Sequence, residues 1–396
     1  MALAAVTGTE GKTTVVEAIR ALSESVGLPA VSVGTLGVLD GASRRPLPRC
    51  TPSPRLAEAL RELEAERTDR VVAVEAYSAA LARGDWQGCH PDVAVLTTVG
   101  RDHLDVHGSH AAYAAAKHRL FAEIAPTAPA VVLGGSELAL TVQASRPPDR
   151  CWSLVRSESP GRSAPRLGAT LVSRRPLPLG EQVVILLATP AGVSELELSL
   201  SVVGSHLAID VLLSLLAALA LGQPLGPLLA AVESVQAPPG RMQPIAGPSD
   251  GIGRWVDFAH TPHAVRAAVR TVRERTSGRL VVVLGCGGDR DQGKRPLMGR
   301  AASTAADVVV LTDDNPRGED PAAIRQAIRD GLLPETEVLE VPDRTEALMA
   351  AQEQARPGDA VIALGMGPDR PSTPASYAAS RRTRPPCDAE VLVRGI

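Results

Sequence analysis

Short apolar runs alternate with helix-like segments along most of this chain, and that alternation confines it to a parallel, doubly wound α/β sheet. Strands are expected at Leu3–Val6, Ala30–Val33, Arg70–Val74, Val93–Thr97 and Ala130–Leu133, with helices at Thr13–Val26, Pro54–Glu66 and His110–Ile124 between them. From Cys151 to Val203 the pattern changes to short alternating runs broken by Pro and Gly, such as Gln182–Ala188 and Ser194–Leu200, which reads as a small antiparallel insertion. Helical stretches follow at Ala208–Leu221 and Gly226–Val235. The Ala237-Pro-Pro-Gly240 segment is the expected boundary. Beyond it a second α/β pattern begins: strands at Arg254–Phe258, Leu280–Leu284, Val308–Leu311, Glu337–Val341 and Ala360–Ala363, helices at His263–Arg275, Pro321–Leu332 and Arg344–Ala355. Two domains are therefore expected, 1–237 and 238–396, with residues 370–387 an exposed loop.

The composition is that of a soluble enzyme. A net charge of −3 gives no reason to expect nucleic acid or an anionic membrane as partner, and 2% aromatics leaves little to stack on bases. The longest apolar helix pattern, Leu207–Leu221, holds Asp210 and is too short to span a bilayer. No basic region precedes an apolar one at the N-terminus, so a cytoplasmic location is expected. Five scattered cysteines without a CxxC pair read as free thiols.

Lysine is the informative residue. Of 41 Lys plus Arg only Lys12, Lys117 and Lys294 are lysine, and each stands in a motif. An ammonium is a compact point charge for phosphate, and its amine can lose a proton when buried, which a guanidinium does not do. Thr7-Gly8-Thr9-Glu10-Gly11-Lys12-Thr13-Thr14, between a strand and a helix, is a compact P-loop. Its glycines let backbone N–H groups approach phosphates, Lys12 reaches the β/γ-phosphates and Thr13 offers a hydroxyl to Mg²⁺. Gly100-Arg101-Asp102-His103-Leu104-Asp105-Val106-His107-Gly108 leads into a helix bearing Lys117. Alone, Lys117 reads as a solvated helix face and His103 as a capping residue. Gly285-Cys286-Gly287-Gly288-Asp289-Arg290-Asp291-Gln292-Gly293-Lys294-Arg295-Pro296-Leu297-Met298 and Asp314-Asn315-Pro316-Arg317 each follow a strand, where ligands bind in open parallel sheets. Turn formation alone would account for the Gly, Asn and Pro of both.

Taken together these strings resemble the Mur ligases, most closely the type that adds the third residue to a UDP-N-acetylmuramoyl dipeptide. The P-loop, Gly34-Thr35-Leu36-Gly37, Cys50-Thr51-Pro52, Glu75, the Asp-His-Leu-Asp-x-His stretch, Gly240-Arg241-Met242, Val256–Pro262, the Gly285–Met298 string and Asp314–Arg317 fall in family order over nearly the whole chain. The resemblance implies a P-loop ATPase domain followed by a Rossmann-like domain. It also implies an ADP-forming, amide-bond-forming ligase working through an acyl phosphate. It assigns ATP to Gly8, Thr9, Glu10, Gly11, Lys12, Thr13, Thr14, Arg241 and Asp257, and two Mg²⁺ to Thr13, Glu75, His103 and a carbamylated Lys117. Catalysis falls to Lys12, Lys117, His103 and His260. The small-molecule acid and amine fall to Thr51, Ser78, Lys294, Arg295, Asp314, Asn315, Arg317 and Asp369. A carbamate suits the role of Lys117 because it supplies the hard oxygen ligands that Mg²⁺ takes and an ammonium lacks.

The departures shape the expected substrate. Because the P-loop strand starts almost at Met1, the family's uridine-binding N-terminal domain is expected to be absent. The segment Glu-Val-Ser-Ser-His reads Glu75-Ala76-Tyr77-Ser78-Ala79, the P-loop asparagine is Glu10, and Phe-Asn-x-x-Asn reads His206-Leu207-Ala208-Ile209-Asp210. The late Gly-Lys-Gly-His-Glu motif is Gly365-Met366-Gly367-Pro368-Asp369. These changes point to an amino acid joined to a carboxylate other than the cell-wall nucleotide, in a specialised pathway such as assembly of a peptide-like natural product. Two readings stand beside it: a cell-wall ligase whose uridine-binding part is a separate partner chain, and a catalytically inactive nucleotide-binding scaffold.

Overall fold

The computed structural model describes residues 1–41, 43–45, 54–157, 164–247 and 249–365. The chain divides into two compact units, Met1–Gly100 with Val106–Gln236, and Arg101–Asp105 with Ala237–Ile396. The short Arg101–Asp105 segment thus belongs by its contacts to the second unit although it lies within the sequence of the first.

The first unit is built on β1 (Ala2–Thr7), β2 (Ala30–Gly34), β3 (Gly37–Asp40), β4 (Ser43–Arg45), β5 (Val71–Glu75), β6 (Val93–Leu96), β7 (Ala130–Leu133), β8 (Cys151–Arg156), β9 (Gly168–Leu177), β10 (Gly180–Thr189) and β11 (Gly192–Leu200). Among the described residues these form one sheet in the order β11-β10-β9-β8-β7-β6-β1-β5-β2-β3-β4. At its centre β1 lies parallel to both β5 and β6, with Val6 opposite Glu75 and Val95. These strands are buried on both faces, which is why they read as continuous apolar runs rather than as alternation. The antiparallel region anticipated after Cys151 is present, but it is not a separate layer. β8 and β9 are parallel, and β9, β10 and β11 extend the edge of the same sheet as an antiparallel ladder. The Lys12–Ser25 helix packs against the apolar Ser205–Ala220 helix. The His110–Arg119 helix widens into a π-turn at Leu120–Ile124, where Ala125 N–H donates to Leu120 C=O at 2.9 Å.

The second unit carries β12 (Gln243–Pro244), β13 (Gly253–Asp257), β14 (Leu280–Leu284), β15 (Val308–Leu311), β16 (Glu337–Glu340) and β17 (Ala360–Leu364), in the order β12-β13-β17-β14-β15-β16. All pairs are parallel except β12 with β13. Its helices begin where the chain supplies caps. The hydroxyl of Thr261 accepts from Ala264 N–H ahead of Pro262, and the carboxylate of Asp320 from Ala322 N–H ahead of Pro321. One of this unit's described helices escapes the sequence pattern. The string ending at Met298 turns helical at Lys294 and runs to Ser303, with Pro296 in the first turn, where its missing N–H has no intrahelical partner to lose.

Candidate functional site

In the first unit the P-loop leaves β1 at Thr7 and enters the helix at Lys12. Gly11 precedes the helix at φ 83° with no side-chain cap, so the helix's first N–H groups are available to an anion. The loop is fixed from outside. Thr9 N–H donates to Thr98 C=O at 2.6 Å, Thr97 Oγ1 to Glu10 C=O at 2.5 Å, and Glu10 N–H to Thr98 Oγ1 at 3.1 Å. Gly8 sits at φ 153°, and a Cβ there would lie 1.8 Å from Thr97 Oγ1. Gly8→Ala is therefore expected to destabilise the first unit by about 2–3 kcal/mol. Urea unfolding should register this as a lower midpoint at unchanged slope.

Lys12 Nζ donates to Gly8 C=O at 3.0 Å and Thr9 C=O at 2.8 Å, which keeps the ammonium over the loop. Thr13 Oγ1 donates to Glu75 Oε1 at 2.9 Å, and the Thr35 N–H and hydroxyl bind the two Glu75 oxygens at 2.9 and 3.1 Å. Lys117 is buried, donates from Nζ to Gly8 C=O at 2.6 Å, and lies 4.3 Å above the ring of Tyr113. The P-loop lysine, the Thr13–Glu75 pair and the Lys117 amine thus converge on one short loop, as their spacing in sequence could not show.

Hard oxygen donors on Thr13 and Glu75, 2.9 Å apart and buried, fit Mg²⁺. Among the described residues no group of three or more His, Cys, Asp or Glu forms a ready-made metal cage. An ion here would draw its remaining ligands from phosphate and water, as Mg²⁺ commonly does. Two departures also take their places. Glu10 is held by its backbone, and the buried carboxylate of Asp210 stands 2.3 Å from where a Cβ on Gly11 would be.

Residues the sequence did not single out complete this half. Tyr113, four positions before Lys117 and so on the same helix face, donates its hydroxyl to Thr9 Oγ1 at 3.1 Å. His107 Nε2 lies 3.0 Å from Ser78 Oγ, its ring 5.4 Å from that of Tyr113. The i, i+4 spacing was the available signal for Tyr113; Ser78 and His107 each stood in a motif, but nothing in the sequence paired them.

In the second unit Asp257, buried at the end of β13, accepts from Met242 N–H at 2.7 Å and Ala259 N–H at 2.8 Å, joining the Gly240–Met242 turn to the strand. The Arg241 guanidinium stacks over Phe258 at 4.9 Å. His260 Nδ1 lies 2.9 Å from Phe258 C=O, and its Nε2 is 3.9 Å from Asp102, which is also 3.3 Å from His103 Nε2. Loss of hydration pushes His260 down to about 4, and nearby Lys294 adds to this while Asp102 opposes it. The ring keeps 44% of its side-chain surface accessible, so solvent moderates the shift, but its direction leaves a neutral imidazole at neutral pH. Burial alone would raise Asp102; the His260 and His103 imidazoles, cationic in the acid range where the carboxyl titrates, together with the Lys294 charge and the His103 N–H outweigh it and hold the carboxyl below its usual range.

The glycine-rich string folds onto Asp314–Arg317. Gly288 N–H donates to Asn315 C=O, Arg317 Nη1 to Gly288 C=O, and Asn315 Nδ2 to Asp314 Oδ1 at 3.1 Å. Arg295, expected at the amino-acid carboxylate, is buried, with both terminal nitrogens on Glu319 at 2.7 and 2.8 Å. As placed it braces the loop, and Lys294 beside it is equally buried. Thr51 and Asp369, also assigned to substrate, lie outside the described residues. Among the described residues the non-glycine positions with positive φ are His103, Met242, Asp289, Asn315 and Arg317, and every one falls in a motif. Strain of this kind persists where surrounding structure over-determines it, and it gathers at functional sites.

Residues 6–218 match the Mur ligase middle domain and residues 240–367 the Mur ligase glutamate ligase domain. A UDP-N-acetylmuramoyl-L-alanyl-D-glutamate–2,6-diaminopimelate ligase of Caulobacter vibrioides is 36% identical over 370 residues, covering 92% of this chain and 74% of its own. A solved structure of a ligase of that name superposes with a TM-score of 0.63 at 31% identity, covering 93% of this chain and 74% of the other. A Mycobacterium tuberculosis folylpolyglutamate synthase complexed with ADP shares the fold at 19% identity, with a TM-score of 0.73 over 97% and 91% of the two chains. The chain belongs to the Mur ligase family of ATP-dependent, ADP-forming acid–amino-acid ligases.

Proposed function

We propose that this protein activates an organic acid as its acyl phosphate and passes the acyl group to the amine of an amino acid. The observation that carries the reading is the convergence of Lys12, the Thr13–Glu75 pair and Lys117 on the Gly8–Thr13 loop. Uncapped helix N–H groups and Lys12 would grip the β/γ-phosphates of ATP. Mg²⁺ held at Thr13 and Glu75 would supply charge neutralisation for the phosphoryl group in transfer. Lys117 would act as a carbamate, its added oxygens supporting that site, while His103 would serve a second ion. The acid's carboxylate oxygen attacks the γ-phosphorus and ADP leaves; the amine then attacks the acyl carbon and inorganic phosphate leaves. In the second unit Arg241 and Asp257 are the residues that the resemblance assigns to nucleotide. On the Asp314–Arg317 loop, Asn315 and Arg317 would receive the amino acid's carboxylate, Arg317 through a guanidinium suited to bidentate pairing.

The altered Glu75–Ala79 segment supports an acid other than the muramoyl nucleotide, and a specialised, natural-product-like pathway is the setting we favour. The cell-wall reading draws its support from the 36% identity to a diaminopimelate ligase. Purified protein supplied with ATP, Mg²⁺ and panels of acids and amino acids should release ADP and phosphate, with UDP-N-acetylmuramoyl dipeptide in the panel to separate the two settings. Release of AMP instead would exclude the acyl-phosphate route.

A further inference from the structure

Aromatic side chains are scarce here, three Trp, three Tyr and two Phe in 396 residues, and almost all of those described are inside. Trp86, Trp152, Trp255, Tyr113 and Phe121 are buried and Phe258 is half-buried, whereas Tyr77 is 38% exposed. Tyr77 follows β5 by two residues, at the carboxyl end of the strand that carries Glu75 and next to the P-loop strand β1. In a parallel sheet that end is where ligands sit. An isolated exposed aromatic is ordinary on a protein surface, but this one is pinned. Its hydroxyl lies 3.1 Å from Thr35 Oγ1, which donates to Glu75 Oε2 at 3.1 Å, and Glu75 Oε1 accepts from Thr13. The ring therefore has a fixed orientation set by the carboxylate at the proposed metal site. On the other flank Ser78 is held by His107.

We infer that Tyr77 is a specificity-determining residue, a flat wall for the acid substrate that selects carboxylic acids bearing a planar unsaturated group, aryl or conjugated, close to the carboxyl carbon. The inference rests on the ligase reading. If the carboxylate is activated beside Lys12 and Glu75, groups attached to it that leave the phosphate loop along the β5 end meet Tyr77, an exposed ring there. A pre-oriented ring loses little side-chain freedom on stacking, so the contact favours a flat partner over a puckered one of equal size.

Binding can be read apart from turnover. Saturation-transfer NMR on the full chain loaded with Mg²⁺ and ADP would compare benzoate and cinnamate with cyclohexanecarboxylate and hexanoate, beside ADP-release assays with ATP and mixed amino acids. The flat acids should bind about 3- to 10-fold more tightly. Tyr77→Phe, which keeps the ring but loses its tie to Thr35, should weaken that preference, whereas Tyr77→Ala should erase it without changing ADP affinity; Tyr77→Leu carries the same test should the alanine variant not fold. Equal binding of flat and saturated acids, or a preference that survives Tyr77→Ala, overturns the inference. A Tyr77-dependent preference without ADP release under any condition sinks the ligase reading while leaving the flat wall standing.

Discussion

Lys117→Ala should lower ADP formation by at least about 100-fold while leaving the protein folded, and small carboxylates such as formate or acetate should restore part of the loss. The expected size is that of removing one preorganised group that stabilises transition-state charge. The amine sits in a buried slot, 2.6 Å from Gly8 C=O and against Tyr113, so truncation to alanine leaves space beside the phosphate loop. A small carboxylate entering that space would return the oxygens a carbamate provides. Steady-state rates with and without added formate check the effect. An alanine variant with full turnover would remove Lys117 from the metal site and leave it as a brace on the loop.

Lys12→Ala should have a comparable or larger effect, a fall of about 100- to 1,000-fold in kcat/KM for ATP, because it removes the charge over the phosphates and two hydrogen bonds that shape the loop. Lys12→Arg is the sharper variant. It keeps the charge but replaces a compact ammonium that donates to both the Gly8 and Thr9 carbonyls with a larger planar fork of different donor geometry, so it should rescue little of the activity. Full activity in Lys12→Arg would mean that charge alone suffices there.

Much of the fold was legible because its strands are short, apolar and buried on both faces, and its helices start at recognisable caps such as Thr261-Pro262 and Asp320-Pro321. The Lys294–Ser303 helix was hidden because Gly293 and Pro296 are turn residues by local preference, and only tertiary packing makes them the start of a helix. The extension β9–β11 carries an alternating pattern that identifies strands without saying which sheet they join. At the site, Lys12 and Thr13 could be named from the P-loop, a local device, whereas Glu75, sixty-two residues from Thr13, could be named only from the family resemblance. The engagement of Arg295 by Glu319 could not be read, because an arginine's partner twenty-four residues away leaves no local signature. For the same reason Tyr77 read only as a departure until its tie to Thr35 and Glu75 gave its ring a direction.

The central claim is that an oxygen of the acid substrate attacks the γ-phosphorus of ATP. Supplying the acid with ¹⁸O in its carboxylate and analysing the released phosphate by mass spectrometry tests this directly. One ¹⁸O per turnover should appear in inorganic phosphate. Label recovered in AMP, or phosphate released wholly unlabelled while amide is formed, would contradict the account.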